Sequence, residues 1–416
     1  MFKKTMGVGS LILLLGACSG ESIDEMGNTE GETDVEGGNS GEVTLWYYFT
    51  GNQEDLFVEL IEEYNDSQDE VEVVGEYIPF PDIAQQLSVG IAGGNLPDLV
   101  FLDNVDNASF AAMDVLEDMT PLVEDWEELE HFYEGPLQSA MHDGKHYGLP
   151  FASNALGLYY NEELLNEAGV EPPETWDELR EYAEMLTNDH IQGFAMSAVR
   201  SEEGAFQFYP FLKSTGADYD RLNTEEGIRS LEFLKSLMDD GSMSSDVLNA
   251  TQDDLARQFA QENLAMMING PWNIDRLTSE NPDLEFGITQ IPRDEEHASV
   301  LGGENLAIIR DSNVEDSWEF FQWLFEPERY EQYTADTGVF PARQDILEGS
   351  DFWSEDPYLS GFVPIMEDAH PRGPSPEWPQ ISEVLQLALQ EVLTDSSTPE
   401  EAMENAENQI DDISGE

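Results

Sequence analysis

Side chains able to do chemistry are plentiful in this sequence, and most of them are acids. Of 416 residues, 89 are Asp or Glu, against 16 Lys or Arg and six His. Glycoside hydrolysis needs paired carboxylates, but where about one residue in five is acidic such pairs carry no weight. His142 and His146 stand four apart, the spacing of two zinc ligands on a helix, yet Asp143-Gly144-Lys145 between them spells a turn. No metal is expected there. No P-loop, dinucleotide fingerprint or nucleophile elbow occurs, so neither cofactor nor catalytic residue is expected. The only cysteine is Cys18, which rules out a disulfide within the chain. A formal charge of −73 repels nucleic acids and anionic lipid headgroups, and it reads as adaptation to a saline exterior. Among the aromatics, Trp272 follows Gly270-Pro271, where Gly and Pro break a strand and turn the indole away from its sheet.

The elements that must carry these groups alternate. Residues 43–49 are a β-branched and aromatic run, followed by Leu56, Phe57, Leu60, Ile61 and Tyr64 at helical spacing. A strand over 71–77 and a helix over 83–92 lead into Leu99-Val100-Phe101-Leu102, almost wholly apolar like the buried strands of parallel sheets. Thr175-Trp176-Asp177-Glu178 is a capping box ahead of Leu179, Tyr182, Ala183 and Leu186. Further strands are expected at 156–160, 194–199, 264–268, 284–288 and 306–309, and helices at 223–240, 314–325 and 381–393. A last helix is opened by Thr398-Pro399. Strand and helix in alternation mean an α/β fold. With 40% apolar and 10% aromatic residues, the chain has material for two or three folded domains.

The N-terminus carries a separate message. Lys3 and Lys4 precede an apolar stretch over 6–17, too short for the roughly 20 residues that span a bilayer. Residues 1–17 read as a secretion signal. Leu15-Gly16-Ala17-Cys18 resembles the bacterial lipobox, which implies lipidation of Cys18; an ordinary signal with an incidental Cys is the alternative. Residues 18–42 hold acids, Gly, Ser and Asn with no base, and are expected to form a disordered, self-repelling tether. The folded part would hang as a monomer on the outer face of the cytoplasmic membrane, attached by lipid alone.

Seven local signatures then follow in order. They are Gly94-Asn95-Leu96-Pro97-Asp98-Leu99, the run from Asp143 to Pro150, and Leu158-Tyr159-Tyr160-Asn161. Next come Pro173-Glu174-Thr175-Trp176, Ala265-Met266-Met267-Ile268-Asn269-Gly270-Pro271-Trp272, Leu301-Gly302-Gly303-Glu304-Asn305, and Gly338-Val339-Phe340-Pro341-Ala342-Arg343. Together they resemble the family 1 extracellular solute-binding proteins of ABC transporters, the group that includes maltose- and oligosaccharide-binding proteins, over residues 43–410. The resemblance implies a two-lobed periplasmic-binding-protein-like α/β fold of the type II, sugar-binding group, with crossover hinge strands. The N-terminal lobe would hold 43–151 and 301–341, and the C-terminal lobe 152–300 and 342–416. It further implies a receptor, not an enzyme, that binds a carbohydrate in the interlobe cleft and delivers it to an ABC permease. A binding protein for glycerol phosphate or another small solute is the alternative, and a surface-anchored carbohydrate-active hydrolase or lyase is the alternative of another class.

In that family the residue matching Trp272 stacks on a sugar ring, because a pyranose presents a patch of C–H groups that a flat aromatic covers. Trp378, in Pro376-Glu377-Trp378-Pro379, is a second platform, or a core Trp. Tyr48, Phe49 and Phe206, the last beside Gln207, serve equally as core or as ligand contacts. Asp103, ending the apolar strand, either accepts sugar hydroxyls or caps the segment after it. Asn154 lies where the first crossover meets the cleft; Asn52 and Gln53 follow the first strand, Asn52 also as a helix cap. Gly302-Gly303-Glu304 resembles a loop where the family's backbone approaches ligand. Arg343 and Arg372 are expected as surface ion-pair partners, with a role toward a uronate or sulfated sugar as the alternative.

Overall fold

A computed structural model of the protein describes residues 41–373 and 375–415. The expected signal peptide over 1–17, Cys18 and the tether as far as residue 40 lie outside the described residues. Two sheets organise the rest. The first contains β1 (Gly41–Tyr47), β2 (Val71–Tyr77), β3 (Leu99–Asp103), β4 (Leu149–Ala155), and further along the chain β9 (Ser299–Ile308), β10 (Phe340–Pro341) and β11 (Ala369–Pro371). The second contains β5 (Gly157–Asn161), β6 (Gln192–Ala195), β7 (Leu264–Asn269) and β8 (Phe286–Thr289). The first sheet runs β10-β4-β9-β3-β1-β2, with β11 also paired to β9; the second runs β8-β5-β7-β6.

β1 pairs in parallel with both β2 and β3, and all five residues of β3 are buried, as its apolar run dictates. β1 starts two residues before the expected strand: Gly41 and Glu42, read as tether, pair with Val71 and Glu72. An open ladder recruits backbone whatever its side chains, and Glu42 simply points to water. The strand stops at Tyr47, so Tyr48 and Phe49 occupy the loop beyond it. β6 ends at Ala195, short of the expected 199, because the next amides find other acceptors: Ser197 donates to Gln207 Oε1 and Ala198 to the Val247 carbonyl. The expected strand at 306–309 is the tail of the ten-residue β9. Gly302 and Gly303 hide its first half from any β-propensity argument.

The helices follow the same logic. Thr175 and Glu178 form the reciprocal capping box, and the helix Trp176–Leu186 buries Trp176, Leu179, Ala183 and Leu186. One helix, Glu202–Ser214, escapes sequence reading because Gly204 and Pro210 lie inside it, although nearly all of it is buried. The C-terminal helices Trp378–Leu393 and Pro399–Ser414 pack on each other, on Glu202–Ser214 and on Glu225–Asp239.

The chain crosses between the sheets at Leu156, between β4 and β5, and returns between Thr289 and Ser299. A third passage runs from β11 into the helix at Trp378. Residues 152–155, 299–300 and 369–371 therefore pair within the first sheet, although the expected division put them with the second lobe. A backbone leaving a sheet keeps its ladder bonds for as long as partners last.

Candidate ligand-binding cleft

The first sheet, together with helices and turns that flank the second, lines a cavity of about 360 Å³, within the usual range for small-molecule sites. On the first-sheet side it is lined by Tyr48, Phe49, Thr50 and Gln53 after β1, Asp103 of β3, Asn154 of β4, and Gly302, Gly303 and Glu304 of β9. Strand topology explains the convergence. β3 runs antiparallel to β9 and ends with Asp103 opposite Glu304; β11 runs parallel to β9 and ends with Pro371 opposite Leu301. The two carboxyl ends thus approach head-on across Gly302 and Gly303, the end of a strand where α/β sheets place their ligands. Asp103 meets Arg372 there in a bidentate pair, 2.9 and 3.2 Å. Asp103 caps no helix.

The opposite side is aromatic. Trp272 sits in a single 3₁₀ turn, Pro271–Asn273, directly after β7. A Cβ on Gly270 would fall 2.0 Å from the indole, so only glycine lets Trp272 fold back over the strand end. Tyr159 fixes that turn by donating to the Gly270 carbonyl at 2.6 Å. Phe206, from the helix Glu202–Ser214, stacks near Trp272 with centroids 6.4 Å apart and planes 25° apart. The Arg372 guanidinium lies 4.3 Å over the Phe206 ring. Glu203, Thr251, Gln252 and Asp253 complete this side.

Burial shapes the charge. Glu304 is pushed up to about 8, by burial first and by Asp103 second. Burial likewise pushes Glu203 up to about 7, although the Gln252 amide donates to it. Asp106 is held well above the carboxylate range by burial and then Asp103. Burial works against the charge of Arg372, but Asp103 and Glu202 outweigh it and hold the group protonated. Near pH 7 the cleft is therefore less negative than its acids suggest. Two buried polar atoms at its edge lack partners among the described residues, Asn154 Oδ1 and Arg372 Nε. Among the described residues, no group of three or more His, Cys, Asp or Glu is poised to hold a metal, and no helix is long and apolar enough to cross a membrane.

Of the residues singled out from sequence, Tyr48, Gln53, Asp103, Asn154, Phe206, Trp272, Gly302, Gly303 and Glu304 line the cavity. Four do not. Asn52 lies inside its helix, which Gly51 precedes without a side-chain cap, and its amide donates to the Asp336 carbonyl. Gln207 is fully buried, accepting from Ser197 and donating to Ile268, and so pins its helix to β7. Arg343 is no surface residue: it is wholly buried and bonded to Glu128, Asp345 and the Phe325 carbonyl. Trp378 is wholly buried, edge-on to Tyr209 and Tyr219, with its N–H donating to Glu202. A helix N-terminus presenting apolar residues to two others leaves its first side chain no route to the cleft. Arg372, also expected at the surface, is 1% exposed and faces the cavity. At Gly302 the space a side chain would fill is taken by Asn154 Oδ1, 2.3 Å away, and by the Phe206 ring. Packing therefore demands that glycine whatever the cavity holds.

Sequence reasoning missed Thr50, Tyr77, Pro79, Phe80, Pro81, Glu203, Thr251, Gln252 and Asp253. The Pro79-Phe80-Pro81 sandwich was the available signal, an aromatic held on a rigid turn.

Comparison with known proteins places this geometry. A family model described as bacterial extracellular solute-binding protein matches residues 59–360. The chain is 27% identical over 373 residues to the maltotriose-binding protein of Pyrococcus abyssi, a match covering 86% of this chain and 78% of that protein. Among solved structures, an ABC transporter solute-binding protein of Thermotoga lettingae TMO bound with α-D-tagatose superposes with a TM-score of 0.81 at 27% identity. That match covers 90% of this chain and 99% of the other. The cyclic α-maltosyl-1,6-maltose binding protein of Arthrobacter globiformis gives a TM-score of 0.71 at 26% identity, covering 89% and 98%.

Proposed function

The chain belongs to the bacterial extracellular solute-binding proteins, and from that membership we propose that it captures a carbohydrate in the cleft and hands it unaltered to the permease of an ABC importer. One juxtaposition carries the reading: the Phe206–Trp272 couple lines the same cavity as Asp103, Asn154 and Glu304. A sugar ring has an apolar C–H face and a rim of hydroxyls, so it meets flat aromatics on one side and hydrogen-bonding groups on the other. A hydroxyl would also give Asn154 Oδ1 the partner it lacks. The relatives named for maltotriose and for a maltosyl ligand supply the chemical class.

The ligand is neutral in this reading. Glycerol phosphate would need an unopposed cation, and Arg372 already faces Asp103 and Glu202. Asp103 is committed to a bidentate clasp, which leaves it poorly placed to act as nucleophile or base. The lobes are 43–151 with 301–341 against 152–300 with 342–416, except that 152–155, 299–300 and 369–371 pair in the first sheet, and the crossing segments serve as hinges on which ligand draws them together. The receptor is a monomer tethered through a lipidated Cys18 outside the cytoplasmic membrane, and its acidic surface suits salt.

A thermal-shift screen in molar salt tests this, using neutral mono- and oligosaccharides, sugar acids and glycerol phosphates, with chromatography of the sugar afterwards. A neutral sugar at 100 times its dissociation constant is expected to stabilise by about 2.7 kcal/mol and to be recovered intact. No shift with any saccharide overturns the reading, and a cleaved sugar replaces it with an enzyme.

A further inference from the structure

The pairing of Asp103 with Arg372 supports an inference about ligand class that rests on the saccharide reading and goes one step past it. Arg372 is the one guanidinium among the described residues that lines the cavity. Of its five N–H groups, the four on Nη1 and Nη2 are occupied. Nη1 donates to Asp103 Oδ2 and to Glu202, and Nη2 donates to Asp103 Oδ1 at 2.9 Å and Asn104 Oδ1 at 3.4 Å. Only Nε–H is left over, buried and without a partner. A ligand carboxylate arriving in the cleft finds no free fork to grip, and it meets the Asp103 carboxylate instead.

We propose that the Asp103–Arg372 pair determines the specificity of the cleft: Asp103 occupies the guanidinium and so bars sugar acids, and a uronate carboxylate takes its place once that side chain is removed. Two features make the exchange workable. The guanidinium does not depend on Asp103 alone for its position, because Glu202 grips it from the helix Glu202–Ser214 and Phe206 lies beneath it. Glu202 is itself held by the Trp378 indole at 3.2 and 3.3 Å and by the Ser382 hydroxyl. Asp103 also lines the cavity, so deleting its carboxylate opens space at the guanidinium that a ligand can enter. A carboxylate on a sugar ring is planar and bidentate like the one it replaces.

The test is titration calorimetry of the wild type, D103A and D103N with neutral disaccharides and their uronic-acid counterparts, such as galactobiose against digalacturonate. The wild type is expected to bind a neutral sugar and to bind its acid at least tenfold more weakly. D103A is expected to bind the acid at least tenfold more tightly than the wild type does, and to lose that gain when R372M is added. If D103A fails to fold by circular dichroism, the isosteric D103N decides, with the ratio of acid to neutral affinity rising at least several-fold. Equal binding of neutral and acidic sugars by the wild type overturns the inference while leaving the saccharide reading intact. So do folded variants that keep the neutral sugar and gain nothing for the acid, since the pair is then structural only. If the wild type binds neither member of any pair, the saccharide reading fails and this inference fails with it.

Discussion

Trp272 and Trp378 are both tryptophans beside a proline at the opening of a helical segment, and they end in opposite places. In Gly270-Pro271-Trp272 the proline comes first, so the indole belongs to a one-turn segment that hangs from the end of β7. Gly270 then lets the ring lie back over the strand, where it lines the cavity with Phe206. In Trp378-Pro379 the proline comes second, so the indole is the first residue of a 16-residue helix that buries ten of its side chains. Trp378 goes wherever that helix docks, and it docks on Glu202–Ser214 and Glu225–Asp239. An aromatic on a short turn is placed by its own backbone, whereas one on a long amphipathic helix is placed by everything that helix buries.

Substitutions can break or sharpen the comparison. The largest effect is expected from Trp378→Ala, which empties a buried aromatic site and removes one of the donors that hold Glu202. It should cost about 3–5 kcal/mol of folding free energy in denaturant titrations. Trp272→Ala should do the reverse, weakening sugar binding about 10- to 100-fold in calorimetry while costing under about 1 kcal/mol of stability. If Trp272→Ala proves as destabilising as Trp378→Ala and spares affinity, both residues are core and the contrast fails. Glu304→Gln tests the polar side of the cleft. The native carboxyl, pushed up to about 8 from an ordinary 4.5, favours the fold fully only below about 4.5, and that contribution is lost as pH rises through 8. The variant should therefore gain on the order of 4 kcal/mol over the wild type between pH 5 and pH 9, read from stability curves in both proteins. Asn52→Ala should change stability by less than about 0.5 kcal/mol and affinity not at all, since the hydrogen bond its amide donates to the Asp336 carbonyl is exposed.

How much was readable from sequence varied with range. The capping box at Thr175, the apolar run of β3 and the Gly270-Pro271-Trp272 turn are local statements, each made by residues within a few positions of one another. Asn154 and Gly302-Gly303-Glu304 were placed through family resemblance rather than through any physical pattern, and all four line the cavity. Arg343 and Arg372 misled for one shared reason. In a chain this acidic the scarce cations were expected at the surface, yet buried carboxylates, Glu128 and Asp345 for one and Asp103 and Glu202 for the other, drew both inside. Burying a guanidinium is tolerable only when its fork is filled, and nothing short of the fold reveals what fills it.

Periodicity and turn residues were enough on their own to dictate alternating strands and helices and a Trp lifted off the end of β7. These follow from interactions spanning one to a few residues, whose energies depend little on context. Tertiary structure alone decided that Arg372 would reach Asp103, 269 positions away, and that Trp378 would face inward. Contacts at that separation exist only after β3, β9 and β11 have paired, because the register of β9 is what brings two strand ends face to face.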